Sequence, residues 1–170
     1  MFRLFFALEC PGLDVTLIPQ DYISERPSNY HITIAFLGER SDPVLEAQRV
    51  SEACVGKLPL EIEYQCLGAF QQPSNARVLW IGVKSQKIKD LASEVRLISE
   101  SDDRPFLPHV TISRFKQQTN LERLVLDHKK SKFGSGIVDK LILFKSELTR
   151  KGAVHTPLHF IDGNGSISSK

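Results

Sequence analysis

The chain carries one four-residue pattern twice, His31-Ile32-Thr33-Ile34 and His109-Val110-Thr111-Ile112. Each copy reads His, aliphatic, Thr, Ile, and each lies in an apolar run of strand character, YHITIAFLG and PHVTISRF. Side chains of a strand alternate faces, so His31 shares a face with Thr33, and His109 with Thr111. Ile32, Ile34, Val110 and Ile112 take the opposite faces. An imidazole and a hydroxyl backed by aliphatics suit a sheet that is polar on one side and buried on the other. With 5 histidines in 170 residues, chance placement gives roughly 0.2 His-x-Thr matches. A single match is an ordinary strand with a satisfied histidine. The matched pair points to two halves that face each other across a groove.

The length fits one domain of two intimate lobes with a substantial core. A net charge of +2 and a pI near 8.4 permit an anionic ligand without marking a non-specific nucleic-acid binder. Cys10, Cys54 and Cys66 are odd in number and form no CxxC pair, which argues against a zinc site or a disulfide framework. They fit free thiols in a reducing cytoplasm. No run is long enough to span a membrane, and the apolar start LFFAL is cut short by Glu9. The expected localisation is cytoplasmic.

Along the chain, FRLFFAL (2–8) reads as a buried strand, broken by Pro11-Gly12. Residues 11–28 pattern poorly. The first motif strand is expected to stop at Gly38. A helix is predicted over 43–55, with Ser41 or Asp42 as cap, Pro43 in the first turn and Gly56 as stop. LEIEYQCLGAF (60–70) alternates as a half-buried strand, and RVLWIGV (77–83) is a strand after a QQPSNAR connection. Ile88, Leu91, Val95 and Ile98 sit at helical spacing in a second helix over 86–99. Asp102-Asp103-Arg104-Pro105 is a polar loop into the second motif. Thr119 and Glu122 form a capping box for a short helix at 120–126. HKKSKFGSG (128–136) reads as a basic loop, residues 137–148 as one strand and 154–160 as the last. The sum is an α+β chain of about seven strands and two main helices. It is one domain over 1–165 with a disordered tail at 166–170.

Two imidazoles can divide labour as general acid and general base, and threonine hydroxyls can donate to non-bridging phosphate oxygens. No carboxylate cluster or Cys/His set with metal-ligand spacing accompanies them, so the expected chemistry uses no metal and no cofactor. One histidine would take a proton from water while the other gives one to a leaving oxygen on the far side of phosphorus. A cyclic phosphodiester suits this arrangement.

HITIAFLG and HVTISRF resemble the paired signatures of the two-histidine (2H) phosphoesterases. Within them the chain is most similar to the RNA 2′,3′-cyclic phosphodiesterases, historically called 2′-5′ RNA ligases. FRLFFAL, LGAFQQPSNARVLWIGV, DRPFLPHVTISRFK and LILFKSELTRKGAVHTPLHF support the resemblance, which spans residues 2 to about 160. It implies a bilobal, pseudo-twofold fold in which two antiparallel sheets flank a central groove with helices outside. It implies metal-free opening of an RNA 2′,3′-cyclic phosphate end to a 2′-phosphomonoester, with reversible 2′-5′ joining as a side reaction. His31 is then the proton donor and His109 the proton acceptor, with Thr33 and Thr111 on the phosphate. Arg114 matches the family's basic residue after the second motif. Strict alternation turns it away from His109 unless the strand bulges, and it reads equally as a surface salt-bridge residue. Family members carry a longer helix before the first motif than residues 11–28 allow, so one groove wall is expected to be short. The implied partner is RNA with a cyclic phosphate end, bound by a monomer with no obligate protein partner and no membrane. Alternatives are a phosphodiesterase of small cyclic nucleotides or 2′-5′ oligonucleotides, and a non-catalytic RNA- or nucleotide-binding module.

Other residues have plainer readings. His128 is expected to be solvated. Lys129, Lys130 and Lys132 could steer RNA or form a solvated face. His155 and His159 are assigned structural roles. Trp80 and Phe70 could stack a base or fill the core, and Tyr30 and Phe36 are assigned to the core side.

Overall fold

The computed structural model describes residues 1–101 and 104–169. Asp102 and Asp103 of the expected polar loop lie outside the described residues, as does Lys170. In chain order the elements are β1 (Phe2–Leu8), β2 (Ile32–Arg40), α1 (Pro43–Val50), β3 (Leu60–Phe70), β4 (Ala76–Lys84), α2 (Ile88–Ile98), β5 (His109–Thr119), α3 (Glu122–Asp127), β6 (Lys132–Val138), β7 (Lys140–Thr149), β8 (Gly152–Asp162) and β9 (Ile167–Ser169). Among the described residues the strands form one antiparallel sheet, ordered β6-β3-β4-β5-β2-β1-β7-β8-β9. The two expected sheets are therefore one, joined at its middle by a single residue pair, Ile32 with Val110. On one side of that joint lie β5, β4, β3 and β6; on the other lie β2, β1, β7, β8 and β9. Each side is built outward from one motif strand.

The aliphatic faces of the motif strands supply the centre of the core. Ile32, Ile34, Val110 and Ile112 are at most 2 % exposed, and burying each contributes about 1.5–3 kcal/mol. α2 packs on β2, and α1 packs on α2 and β8. α2 buries Ile88, Leu91 and Val95 of the stripe read from spacing, together with Ala92, while Ile98 is only partly buried. In α1, Asp42 Oδ1 accepts from Leu45 N–H at 3.1 Å, as a cap should. The expected helix over 43–55 is shorter, because α1 gives way at Val50 to a 3-10 turn over Ser51–Cys54. No helix among the described residues is long and apolar enough to cross a membrane.

Several edges differ from expectation. The first motif strand runs past Gly38 to Arg40. The basic loop at 128–136 contains the start of β6, which pairs with β3. The strand expected over 137–148 is two strands, broken at Asp139. The tail expected to be disordered forms β9, which pairs with β8 through Ile161–Ile167 and Phe160–Ser168. Edge strands such as these are held by backbone hydrogen bonds and carry little hydrophobic signal. At α3, Asn120 Oδ1 accepts from Glu122 N–H, and Thr119 bonds Gln117 instead of capping. Residues 11–28 contain only 3-10 turns, at Gln20–Tyr22 and Pro27–Asn29.

Candidate active site

The joint sets the two motifs crosswise. With Ile32 opposite Val110 in antiparallel register, His31 falls level with Thr111 and Thr33 with His109. Both motif strands then carry the same irregularity. On β2, Phe6 pairs with Ala35 but Ala7 pairs with Thr33, leaving Ile34 as the extra residue. On β5, Leu79 pairs with Ser113 but Trp80 pairs with Thr111, leaving Ile112 extra. Each is a bulge, and a bulge shifts alternation by one. Hence Ile34 and Ala35 are both buried, as are Ile112 and Ser113. The residue five positions after each histidine, Phe36 or Arg114, thereby turns onto the histidine face. Arg114 meets the condition set for it. Phe36 does not join the core as expected; it is 55 % exposed and lies 6.1 Å from Phe5, ring to ring.

The imidazoles are held alike. His31 Nδ1 lies 2.8 Å from the carbonyl of Asn29 and His109 Nδ1 lies 2.6 Å from that of Leu107, each two residues back. A carbonyl can only accept, so Nδ1 carries the hydrogen in both rings and Nε2 is left as the working nitrogen. Burial holds His31 down to about 4, against the help of the Asn29 carbonyl; the charges of His155, Arg114 and His109 push the same way as burial. His109 is lowered by burial and by Arg114, again opposed by its carbonyl. Both rings are therefore neutral at pH 7 in the free protein. Arg114 is itself anchored by the segment before the first motif. Its backbone N–H donates to Ser24 Oγ at 2.9 Å, and its Nε lies 3.5 Å from Glu25 Oε1. The bulged Ile112 carbonyl accepts from the N–H groups of Ser24 and Glu25. Among the described residues no group of three or more His, Cys, Asp or Glu side chains is placed to hold a metal ion.

Residues 22–150 match the model of the 2′-5′ RNA ligase superfamily. The chain belongs to that superfamily. A relative named RNA 2′,3′-cyclic phosphodiesterase from Aquifex aeolicus is 34 % identical over 146 residues, 76 % of each chain. One of the same name from Aeropyrum pernix is 33 % identical over 148 residues, covering 81 % of this chain and 84 % of its own. Among solved structures, TT0787 of Thermus thermophilus superposes with a TM-score of 0.74 at 24 % identity, covering 96 % of this chain and 99 % of its own. E. coli LigT complexed with 3′-AMP gives 0.70 at 23 %, covering 95 % and 97 %. These two likenesses show a shared fold.

Aromatic walls flank each histidine of this superfamily member. His109 meets Phe70 edge-on at 5.1 Å and Trp80 at 5.7 Å. His31 lies 5.2 Å from Phe5 and 6.4 Å from Phe144. Phe70 and Trp80, which had two open readings, thus line the site. His155, assigned a structural role, stands edge-on to His31 at 5.3 Å. His159 instead pairs with Leu143 and Ser169 within the sheet. His128, expected to be solvated, is half-buried, bonds Ser131 Oγ through Nδ1 and packs near Phe133. Ser24, Glu25, Asn29 and Phe144 escaped the sequence reading. Only Asn29, two residues before His31, had a signal that could have found it, the matching place of Leu107 before His109. The short segment before the first motif is bonded through its backbone to the β5 bulge.

Proposed function

We propose that the protein is a metal-independent RNA 2′,3′-cyclic phosphodiesterase that opens the cyclic end to a 2′-phosphomonoester. The observation that carries this reading is the matched anchoring of two imidazoles through Nδ1, one from each half, with neither Nε2 bonded among the described residues. The names of the relatives supply the substrate class; the 2′ product is what the resemblance to the 2H phosphoesterases implies. His109 Nε2 takes a proton from a water, whose oxygen attacks phosphorus. The P–O3′ bond breaks, and Nε2–H of His31 protonates the departing 3′ oxygen. With a 5′-hydroxyl in place of water the same steps join ends in a 2′-5′ linkage, and run backwards they cleave that linkage to the cyclic phosphate. His31 is neutral in the free protein, so it must gain its proton as substrate binds. The anionic phosphate supplies the opposite charge that raises it, and the Asn29 carbonyl already accepts from Nδ1–H of the imidazolium. Thr33 and Thr111 donate to the non-bridging oxygens, joined by Arg114. Three free cysteines suit a reducing compartment such as the cytoplasm.

The test is incubation with a short RNA ending in a 2′,3′-cyclic phosphate in excess EDTA, with the products resolved as 2′- or 3′-phosphate. The expected product is the 2′-phosphate. His31→Ala and His109→Ala should each lower kcat by about 10²–10⁴ while the protein stays folded. Turnover that survives both substitutions, or a 3′-phosphate product, overturns the assigned roles. Turnover of small cyclic nucleotides but not of RNA ends would move the substrate class.

A further inference from the structure

His155 is a third histidine at the site, and the two-histidine chemistry has no use for it as an acid or base. It lies on β8, and the strand order puts β8 on the far side of β2 from β5. Its ring is edge-on to His31 at 5.3 Å and to Phe5 at 5.0 Å. Its Nδ1 is buried with no hydrogen-bond partner. Nε2 has no bonding partner among the described residues and is not sealed from solvent. A neutral imidazole carries one hydrogen. Placing it on Nδ1 would bury an unmatched N–H, which folded proteins avoid. The hydrogen therefore sits on Nε2. His155 is the reverse tautomer of His31 and His109: a fixed donor facing outward where they offer a lone pair.

We propose that His155 is a substrate-binding residue that donates from Nε2–H to a ribose oxygen of the terminal nucleotide. The inference rests on the phosphodiesterase reading. In an in-line displacement the leaving oxygen is on the His31 side and the water on the His109 side. The leaving oxygen belongs to the ribose, so the ribose lies on the side where His155 stands. The phosphate lies between the two motifs, nearer Thr33, Thr111 and Arg114. His155 thus distinguishes a nucleotide from a bare phosphate.

The test compares wild type, His155→Phe and His155→Gln, titrated calorimetrically with adenosine 2′-monophosphate and with inorganic phosphate. Phe keeps a ring against His31 and Phe5 but has no donor; Gln keeps a donor. We expect His155→Phe to weaken the nucleotide about tenfold and leave inorganic phosphate unchanged, with Gln recovering much of the loss. On cyclic-phosphate RNA, KM should rise in His155→Phe more than kcat falls. Equal losses for both probes, no loss in the Phe variant, or a Gln variant no better than Phe would overturn the proposal. A second measurement needs no substitution. Imidazole ¹⁵N spectra of the wild type should show His155 protonated at Nε2 and shifted by the nucleotide but not by phosphate; protonation at Nδ1 would overturn it. If wild type binds the nucleotide as described but opens no cyclic phosphate, the phosphodiesterase reading fails and the His155 contact stands.

Discussion

The side chain of Arg114 is 65 % exposed and holds Glu25 at 3.5 Å. A pair so open to water contributes about 0–1 kcal/mol. A hydrogen bond from the same guanidinium to a phosphate is charge-assisted and contributes about 1.5–3 kcal/mol. The arginine can therefore leave the carboxylate for a substrate. Arg114→Ala should raise KM roughly 10- to 100-fold with little change in melting temperature, which steady-state kinetics and a thermal melt would check. An unchanged KM would remove Arg114 from the phosphate site. The residue types of the site were legible in the sequence: His31, Thr33, His109 and Thr111 announce themselves by repetition. Which side Arg114 and Phe36 face was not legible. Each depends on one extra buried residue, Ile34 or Ile112, which in sequence is one more apolar letter. His155 was equally hidden, because β8 reaches His31 only through two intervening strands.

β3 and β4 meet where Gly68 pairs with Trp80. The indole lies over Gly68, and a Cβ there would overlap the ring. The missing side chain is what lets Trp80 lie flat enough to wall His109. Gly68→Ala should cost about 1–3 kcal/mol through overpacking, a fall of roughly 2–12 °C in melting temperature. It should also lower kcat by displacing the His109 wall, so differential scanning calorimetry and kinetics on one sample test both effects. An alanine variant with native stability and kcat would show that the indole can shift freely. β3 and α2 were legible because each buries a periodic apolar face, β1 because it is an unbroken apolar run, and α1 because Asp42 and Pro43 mark its start. β6 and β9 were not, being edge strands of basic, glycine-containing or polar sequence whose support is backbone hydrogen bonding.

Over the whole molecule, the buried histidines couple folding to pH. Burial lowers His31 from the ordinary 6.5 to about 4, so the unfolded chain takes up that proton first as pH falls. The stability contribution is complete above 6.5 and is lost as pH falls toward 4. From His31 alone the loss is about 2 kcal/mol by about pH 5, and His109, also lowered by burial, adds to it. Thermal melts at neutral pH and near pH 5 should show the decline, with a smaller decline in His31→Phe. Equal declines would mean that His31 titrates normally. The strand order has one more consequence, for the order of assembly. The half around His109 is built from β3, β4, β5 and β6, one continuous stretch from Leu60 to Val138. The half around His31 joins β1 and β2 from the beginning of the sequence to β7, β8 and β9 from its end. As synthesis proceeds, the surroundings of the proposed base can close while those of the proposed acid still await Phe144 and His155. A chain that has emerged from the ribosome only as far as Val138 would hold the acceptor side whole and the donor side open, and catalysis would begin only when the last strands return to meet the first.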